Sequence, residues 1–247
     1  MDKQVGLQVS LLKQSIEKWN EWIREKRSER QPYEYRPDLC QTDLSGADLR
    51  NADLLEAHLV EAKLINAKLS GSDLREADLS EAKLQGANLE RAKLGGAFLD
   101  HADLSDAVLN GADLREADLQ SANFERAKLN GCSFGHADLS DANLKNADLS
   151  NANLFSAILI DANLSGANLS AADLQKSNLE RVDLSGAVLK SANFYGANLG
   201  GADLREADLS NADLRNTNLL LSRGLQPEQL SSAIIDEATE LPDYLKT

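Results

Sequence analysis

The side chains that could do chemistry in this chain are mostly carboxylates. There are 40 Asp and Glu, against 26 Lys and Arg, 3 His and 2 Cys. Paired carboxylates can run general acid–base chemistry, imidazoles and acids can hold a metal, and a thiolate can act as a nucleophile. Each of these needs its groups to converge in a pocket. His58, His101 and His136 are far apart in the chain, and none has a metal-ligand spacing. Cys40 and Cys132 form no Cys-x-x-Cys and are expected to be free thiols in a reducing compartment. No glycine-rich phosphate loop or nucleophile elbow occurs. The acids are spread along the whole chain rather than gathered. The expectation is a chain with no catalytic, cofactor-binding or metal-binding residues, which is not an enzyme and needs no cofactor.

What positions these side chains is a beat of five. Leu or Phe occupies every fifth position from Leu39 to Leu219, 37 times in one phase. Of the 36 positions two places earlier, from Thr42 to Thr217, 30 are alanine; Thr42, Ser72, Cys132, Ser177, Val182 and Thr217 are the others. On an α-helix five residues turn by about 500°, so the leucines would coat every side. On one continuous strand an odd period would send alternate leucines to opposite faces. Within a unit, however, Ala-x-Leu has period two and can point both residues one way. The chain must then bend between units, as at Ser45-Gly46, Asn130-Gly131 and Ser165-Gly166, whose residues suit turns. The result is a solenoid with leucine and alanine along its axis. The residue before each leucine, usually Asp or Asn, points outward. A convex rod with a filled axis has no pocket to dry a pair of acids.

The run of Ala-(Asp/Asn)-Leu-x-x units over residues 38–222 resembles the pentapeptide-repeat proteins. That resemblance implies an all-β solenoid, a right-handed quadrilateral β-helix with four units per coil and about nine coils. One strand spacing of about 4.8 Å per coil makes the rod roughly 43 Å long. Trp19-Asn20-Glu21-Trp22, Arg36-Pro37-Asp38-Leu39 and Gly224-Leu225-Gln226-Pro227-Glu228-Gln229-Leu230 are similar to a cyanobacterial subgroup with flanking helices.

A thin repeat core must be covered at both open ends. Three segments are therefore expected: an N-terminal helix and connector over residues 1–37, the repeat over 38–222, and a helical cap over 223–247. Val9, Leu12, Ile16, Trp19 and Ile23 follow spacings of 3, 4, 3 and 4, predicting one amphipathic helix over residues 5–27. Glu29–Pro37, with Pro32, Tyr33 and Tyr35, is predicted to be an extended connector. Pro227-Glu228 is predicted to open a second helix, with Leu230, Ile234 and Ala238 on one stripe and Pro242 ending it. Trp19, Trp22, Leu230 and Ile234 are the candidate cap or dimer contacts, the protein being a monomer or homodimer.

The formal net charge is −14, of which the repeat carries −13. Direct nucleic-acid binding through a basic face is not expected. Some proteins of the resembled family are shaped and charged like duplex DNA and bind type II topoisomerases such as gyrase, which makes DNA mimicry the alternative function. Lys63, Lys68 and Lys83 interrupt a continuous acidic stripe, and sorting the aspartates by side shows no strong polarisation. The favoured function is a structural scaffold that binds a protein partner. Its candidate patch is Phe98, Phe155, Ile158 and Ile160, apolar residues on slots that should face solvent. Met1-Asp2-Lys3-Gln4 has no apolar leader and the chain no 18-residue apolar run, so a cytoplasmic location and no membrane contact are expected.

Overall fold

A computed structural model of the chain describes residues 3–29 and 35–245. Parallel bridges join residues twenty apart throughout the repeat: Asp38 to His58, Asp43 to Lys63, Asp48 to Lys68, Asp53 to Asp73, and onward in the same register. Four pentapeptides therefore complete one coil. The columns beginning at Asp38, Asp43, Asp48 and Asp53 define faces 1, 2, 3 and 4, and the two residues after each leucine form the edge to the next face. Each face contributes one bridging residue per coil. Phe98 shows the ladder: its N–H donates to Ala77 O at 2.9 Å, and its C=O accepts from Leu79 N at 2.7 Å.

The corner is a turn in which the alanine N–H donates to the leucine C=O three residues back, as from Ala97 to Leu94 at 3.0 Å. Every fifth residue from Gln41 to Leu221 has φ between +54° and +72°. A positive φ at the third turn position is what a type II turn requires. None of these positions holds a β-branched residue, phenylalanine, tyrosine, tryptophan or proline. Val60, Ile65, Phe155, Ile160 and Tyr195 all take the first corner position instead, where no left-handed backbone is needed.

The leucine column is buried throughout and the alanine column is buried except at half-buried Ala47. Polar residues in alanine slots are satisfied locally: Thr42 Oγ1, Ser72 Oγ and Ser177 Oγ donate to the preceding leucine C=O at 2.7, 2.7 and 2.6 Å. Phe134 and Phe194 share the face 4 column and Phe124 sits in face 2, all buried. Burying a leucine is worth about 1.5–3 kcal/mol, while ordering each residue's backbone costs about 1–2 kcal/mol. No coil stands alone, and stacking carries the fold.

The N-terminal segment forms two helices rather than the expected single one, α1 (Lys3–Gln14) and α2 (Ile16–Glu29). Ser15 makes the break: its Oγ accepts the Lys18 N–H at 3.3 Å, the cap serine favours over an unbroken helix. Leu12, Trp19 and Ile23 bury against the first coil. Their neighbours complete its ladder. Among the described residues no earlier coil pairs with Asp53; its N–H donates to Asn20 Oδ1 and its C=O accepts Trp19 Nε1, both at 2.8 Å. Lys13 Nζ donates to Asp43 O at 2.6 Å and Arg27 to Leu55 O at 2.8 Å. Pro32 and Tyr33 of the expected connector lie outside the described residues.

The C-terminal cap differs from expectation. Helix stops after one turn, α3 (Pro227–Leu230), and the chain returns to the ladder: Ile234 pairs with Asp213 and Glu240 with Asn218. A helix satisfies only its own backbone, whereas the last full coil leaves N–H and C=O groups that must be paired. Ile234 N–H donates to Ala212 O and its C=O accepts from Leu214 N, both at 2.8 Å. Gln229 Nε2 donates to Leu204 O and Ala207 O at 2.9 and 2.8 Å. Ile234 and Ala238, expected on the buried stripe, are exposed. Leu225 and Pro242 are buried, and Leu230, Ala233, Leu241 and Leu245 pack half-buried against the end of the core. Among the described residues no helix is long and apolar enough to cross a membrane.

Candidate interaction surface

The twenty-residue register sorts every outward side chain onto a face or an edge. On face 4 most acids are matched by arginine: Asp53 by Arg27 at 2.8 Å, Asp73 by Arg75 at 2.7 Å, Asp113 by Arg115 and Asp213 by Arg215 at 2.6 Å. The arginine hydrogen bonds hold the Asp113 and Asp213 carboxyls below the usual range, against the opposing effect of burial. On the edges, Arg126 reaches across a coil to Asp106 at 2.8 Å and Arg181 to Asp161 at 2.6 Å. Such exposed pairs are worth about 0–1 kcal/mol each.

Face 1 is different. Its carboxylates Asp38, Asp78, Asp118 and Asp138 form no ion pair among the described residues. Face 1 and the following edge carry ten acids and Arg181, a net of −9, whereas the opposite face 3 and its following edge carry a net of +1. The rod is polarised across its width. Sorting aspartates alone hid this, because Glu61, Glu81 and Glu180 on the edge contribute and because the lysines fall on other faces.

The same side holds the candidate patch. Phe98 and Ile158 stand in one column of face 1, three coils apart, 49% and 38% exposed. Phe155 and Ile160 occupy the two edges beside Ile158 and are half-buried. Phe155 packs edge-on against His136 at 5.7 Å, with Lys176 Nζ 5.5 Å from its ring centre. Phe155, Ile158 and Ile160 thus border a single coil, and Phe98 lies farther along their face. The cap candidates separate differently. Trp19 is fully buried; Trp22 is half-buried, 5.3 Å from Trp19 and edge-on to Tyr35 at 5.5 Å. Leu230 is half-buried in the C-terminal cover and Ile234 faces outward.

The reactive groups do not converge. Cys132 is buried, its Sγ against Leu109 O at 3.0 Å, and burial pushes its thiol up to about 12. Burial also raises the half-buried Cys40 thiol. Among the described residues no group of three or more His, Cys, Asp or Glu is placed to hold a metal ion. A depression of about 700 Å³ is an open polar trough along the edge after face 3, where Gly71, Gly111 and Gly131 present no side chain.

The stacked Ala-x-Leu units match the model for pentapeptide repeats in 8 copies between residues 42 and 219. This chain belongs to the pentapeptide-repeat family. Its solenoid is the family's right-handed quadrilateral β-helix. The chain is 31% identical to HetL, a pentapeptide-repeat protein involved in heterocyst differentiation regulation from the cyanobacterium Nostoc sp. strain PCC 7120. That match covers 90% of this chain and 92% of HetL with a TM-score of 0.53. Rfr23 from the cyanobacterium Cyanothece 51142 is 33% identical over 42% of this chain and 66% of its own, with a TM-score of 0.23. QnrB1, a plasmid-mediated fluoroquinolone resistance protein, is 21% identical over 82% of this chain and 93% of its own, with a TM-score of 0.43. No curated protein matches the chain.

Proposed function

We propose that this pentapeptide-repeat protein is a non-catalytic scaffold, a rod of about nine coils that docks a protein partner on face 1. The observation that supports it is the coincidence, on one side, of exposed Phe98 and Ile158 with carboxylates that lack a cationic partner. Apolar side chains on a rigid, convex, polar surface contribute binding without a pocket. The test is affinity capture and size measurement with wild type and the Phe155→Asp/Ile158→Asp variant. The variant is expected to lose the captured protein while keeping its circular dichroism. Unchanged partners together with an unchanged oligomeric state would remove the patch.

The −13 charge of the repeat supports a second reading, a DNA-mimicking modulator of a type II topoisomerase. Duplex DNA carries one charge per about 1.7 Å, so about 43 Å of it holds roughly 25. This rod has about half that, and several of its acids are matched by arginines. A gyrase supercoiling assay separates the readings: no effect at micromolar protein sinks mimicry.

A further inference from the structure

Resting on the scaffold reading, we infer that face 1 takes an extended, basic segment of its partner, with apolar side chains four residues apart and a lysine or arginine midway between them. The column on face 1 runs Phe98, Asp118, Asp138, Ile158. At about 4.8 Å per coil, the two apolar side chains stand about 14 Å apart, with the carboxylates at about 4.8 and 9.6 Å. An extended chain rises about 3.4 Å per residue and turns every second side chain to the same side. Its first and fifth residues are therefore about 13.6 Å apart and face the column together. Its third residue falls at about 6.8 Å, between Asp118 and Asp138.

A helix fits less well. About 14 Å is nine residues at about 1.5 Å each, and nine residues at 3.6 per turn end on the opposite side of the helix.

The carboxylates are available for such a cation. Asp118 Oδ1 accepts the Gln120 N–H at 3.2 Å; Asp138 accepts Gln120 Nε2 at 2.9 Å and the Ser140 N–H at 2.9 Å and hydroxyl at 2.6 Å. All of these donors are neutral. On face 4 the equivalent carboxylates at Asp73, Asp113 and Asp213 are each occupied by an arginine two residues on. The net −9 of face 1 and its edge, against +1 on the opposite side, orients a basic chain toward this column before contact. Asp100, Asp141 and Asp161 line the adjoining edge and extend the attraction beyond the central pair, although Asp161 is shared with Arg181.

The test uses the full-length chain and a fluorescently labelled peptide, Lys-Ser-Leu-Ser-Lys-Ser-Leu-Ser-Lys, read by anisotropy at low and high salt. Three comparisons decide it: the same peptide with Glu for Lys, one with the two leucines adjacent, and protein variants on two faces. Binding of the first peptide is expected to weaken at least fivefold with Asp118→Asn/Asp138→Asn, with Phe98→Ser/Ile158→Ser and at high salt. Asp148→Asn/Asp208→Asn on face 3 is expected to leave it unchanged, and the other peptides are expected to bind at least fivefold more weakly. No binding at millimolar peptide overturns the inference. So does equal binding of the rearranged peptide, or an equal loss from the face 3 variant. If Phe155→Asp/Ile158→Asp abolishes partner capture while the peptide fails to bind, the scaffold reading stands and the extended basic segment falls. If capture is also unchanged, both fall.

Discussion

Replacing Trp19 with alanine tests whether the N-terminal helices do the work of a missing coil. The ring is fully buried, and its Nε1 donates to Asp53 O at 2.8 Å. Truncating a buried Phe or Trp to Ala costs about 3–5 kcal/mol, and an orphaned carbonyl about 1–3 kcal/mol more where water cannot reach it. In a stacked array each unit contacts only its neighbours, so this loss should stay near the affected end. Hydrogen exchange read by mass spectrometry resolves the location. Amides of the first coil, including Asp53 N–H on Asn20 Oδ1 and His58 N–H on Pro37 O at 2.8 Å, are expected to exchange about 100-fold faster or more. Those in residues 160–200 are expected to keep wild-type rates. Trp19→Phe keeps much of the packing but removes the donor, and should give a loss of about 1–2 kcal/mol in the same place. The reasoning is refuted if exchange quickens evenly along the rod, because the array would then be one cooperative unit. It is equally refuted if the first coil keeps its protection, because the helices would then be ornaments on a self-sufficient end.

Gly46→Ala and Gly224→Ala separate backbone strain from collision. At Gly46, φ is +66° and nothing lies within 4 Å of an added Cβ, so about 1 kcal/mol is expected in a denaturant melt. At Gly224, φ is +74° and the added Cβ would meet Arg205 Cγ at 2.1 Å, so the loss should be clearly larger; equal losses would contradict the collision. The lowered Asp113 and Asp213 carboxyls stabilise the fold above their unfolded pKa of about 3.9, and that contribution is lost as pH falls through the lower folded values. Tm should therefore be nearly flat from pH 7 to about 5 and decline below about 4, with a smaller acid decline in Asp113→Asn/Asp213→Asn; a wild-type decline beginning near pH 6 would point to other groups. Iodoacetamide at pH 8 should leave Cys132 unlabelled in the native protein and label it after denaturation, as follows from its burial and its pKa of about 12. Rapid native labelling would place that thiol outside the core.

The repeat was legible because its signal is redundant: a leucine or phenylalanine every fifth residue from Leu39 to Leu219 leaves no other way to bury one consistent side. The caps were less so, since each depends on what the adjoining coil lacks. The stripe of Leu230, Ile234 and Ala238 has helical spacing, yet the open ladder above Ala212 and Leu214 draws Ile234 into a bridge. Ser15 is one polar residue inside the spacing from Val9 to Ile23, and its capping role emerges only at the break between α1 and α2. Outward apolar residues could be named from the beat, but their company could not. That Phe98 and Ile158 share a column depends on twenty residues per coil. Which carboxylates are already taken by arginine depends on side-chain reach, which spacing alone does not give.

The bridge register also makes the rod's sequence phase-sensitive. Deleting or duplicating twenty residues shortens or lengthens it and returns every later side chain to its own face. Deleting five preserves the leucine beat and the core, but turns everything downstream by a quarter revolution. Such a deletion between Phe98 and Ile158 would move Ile158 from face 1 to the column of Asp53 and Lys93. The protein would melt much like the original and yet display a rearranged surface. Length is thus inherited in two currencies, five residues for folding and twenty for presentation.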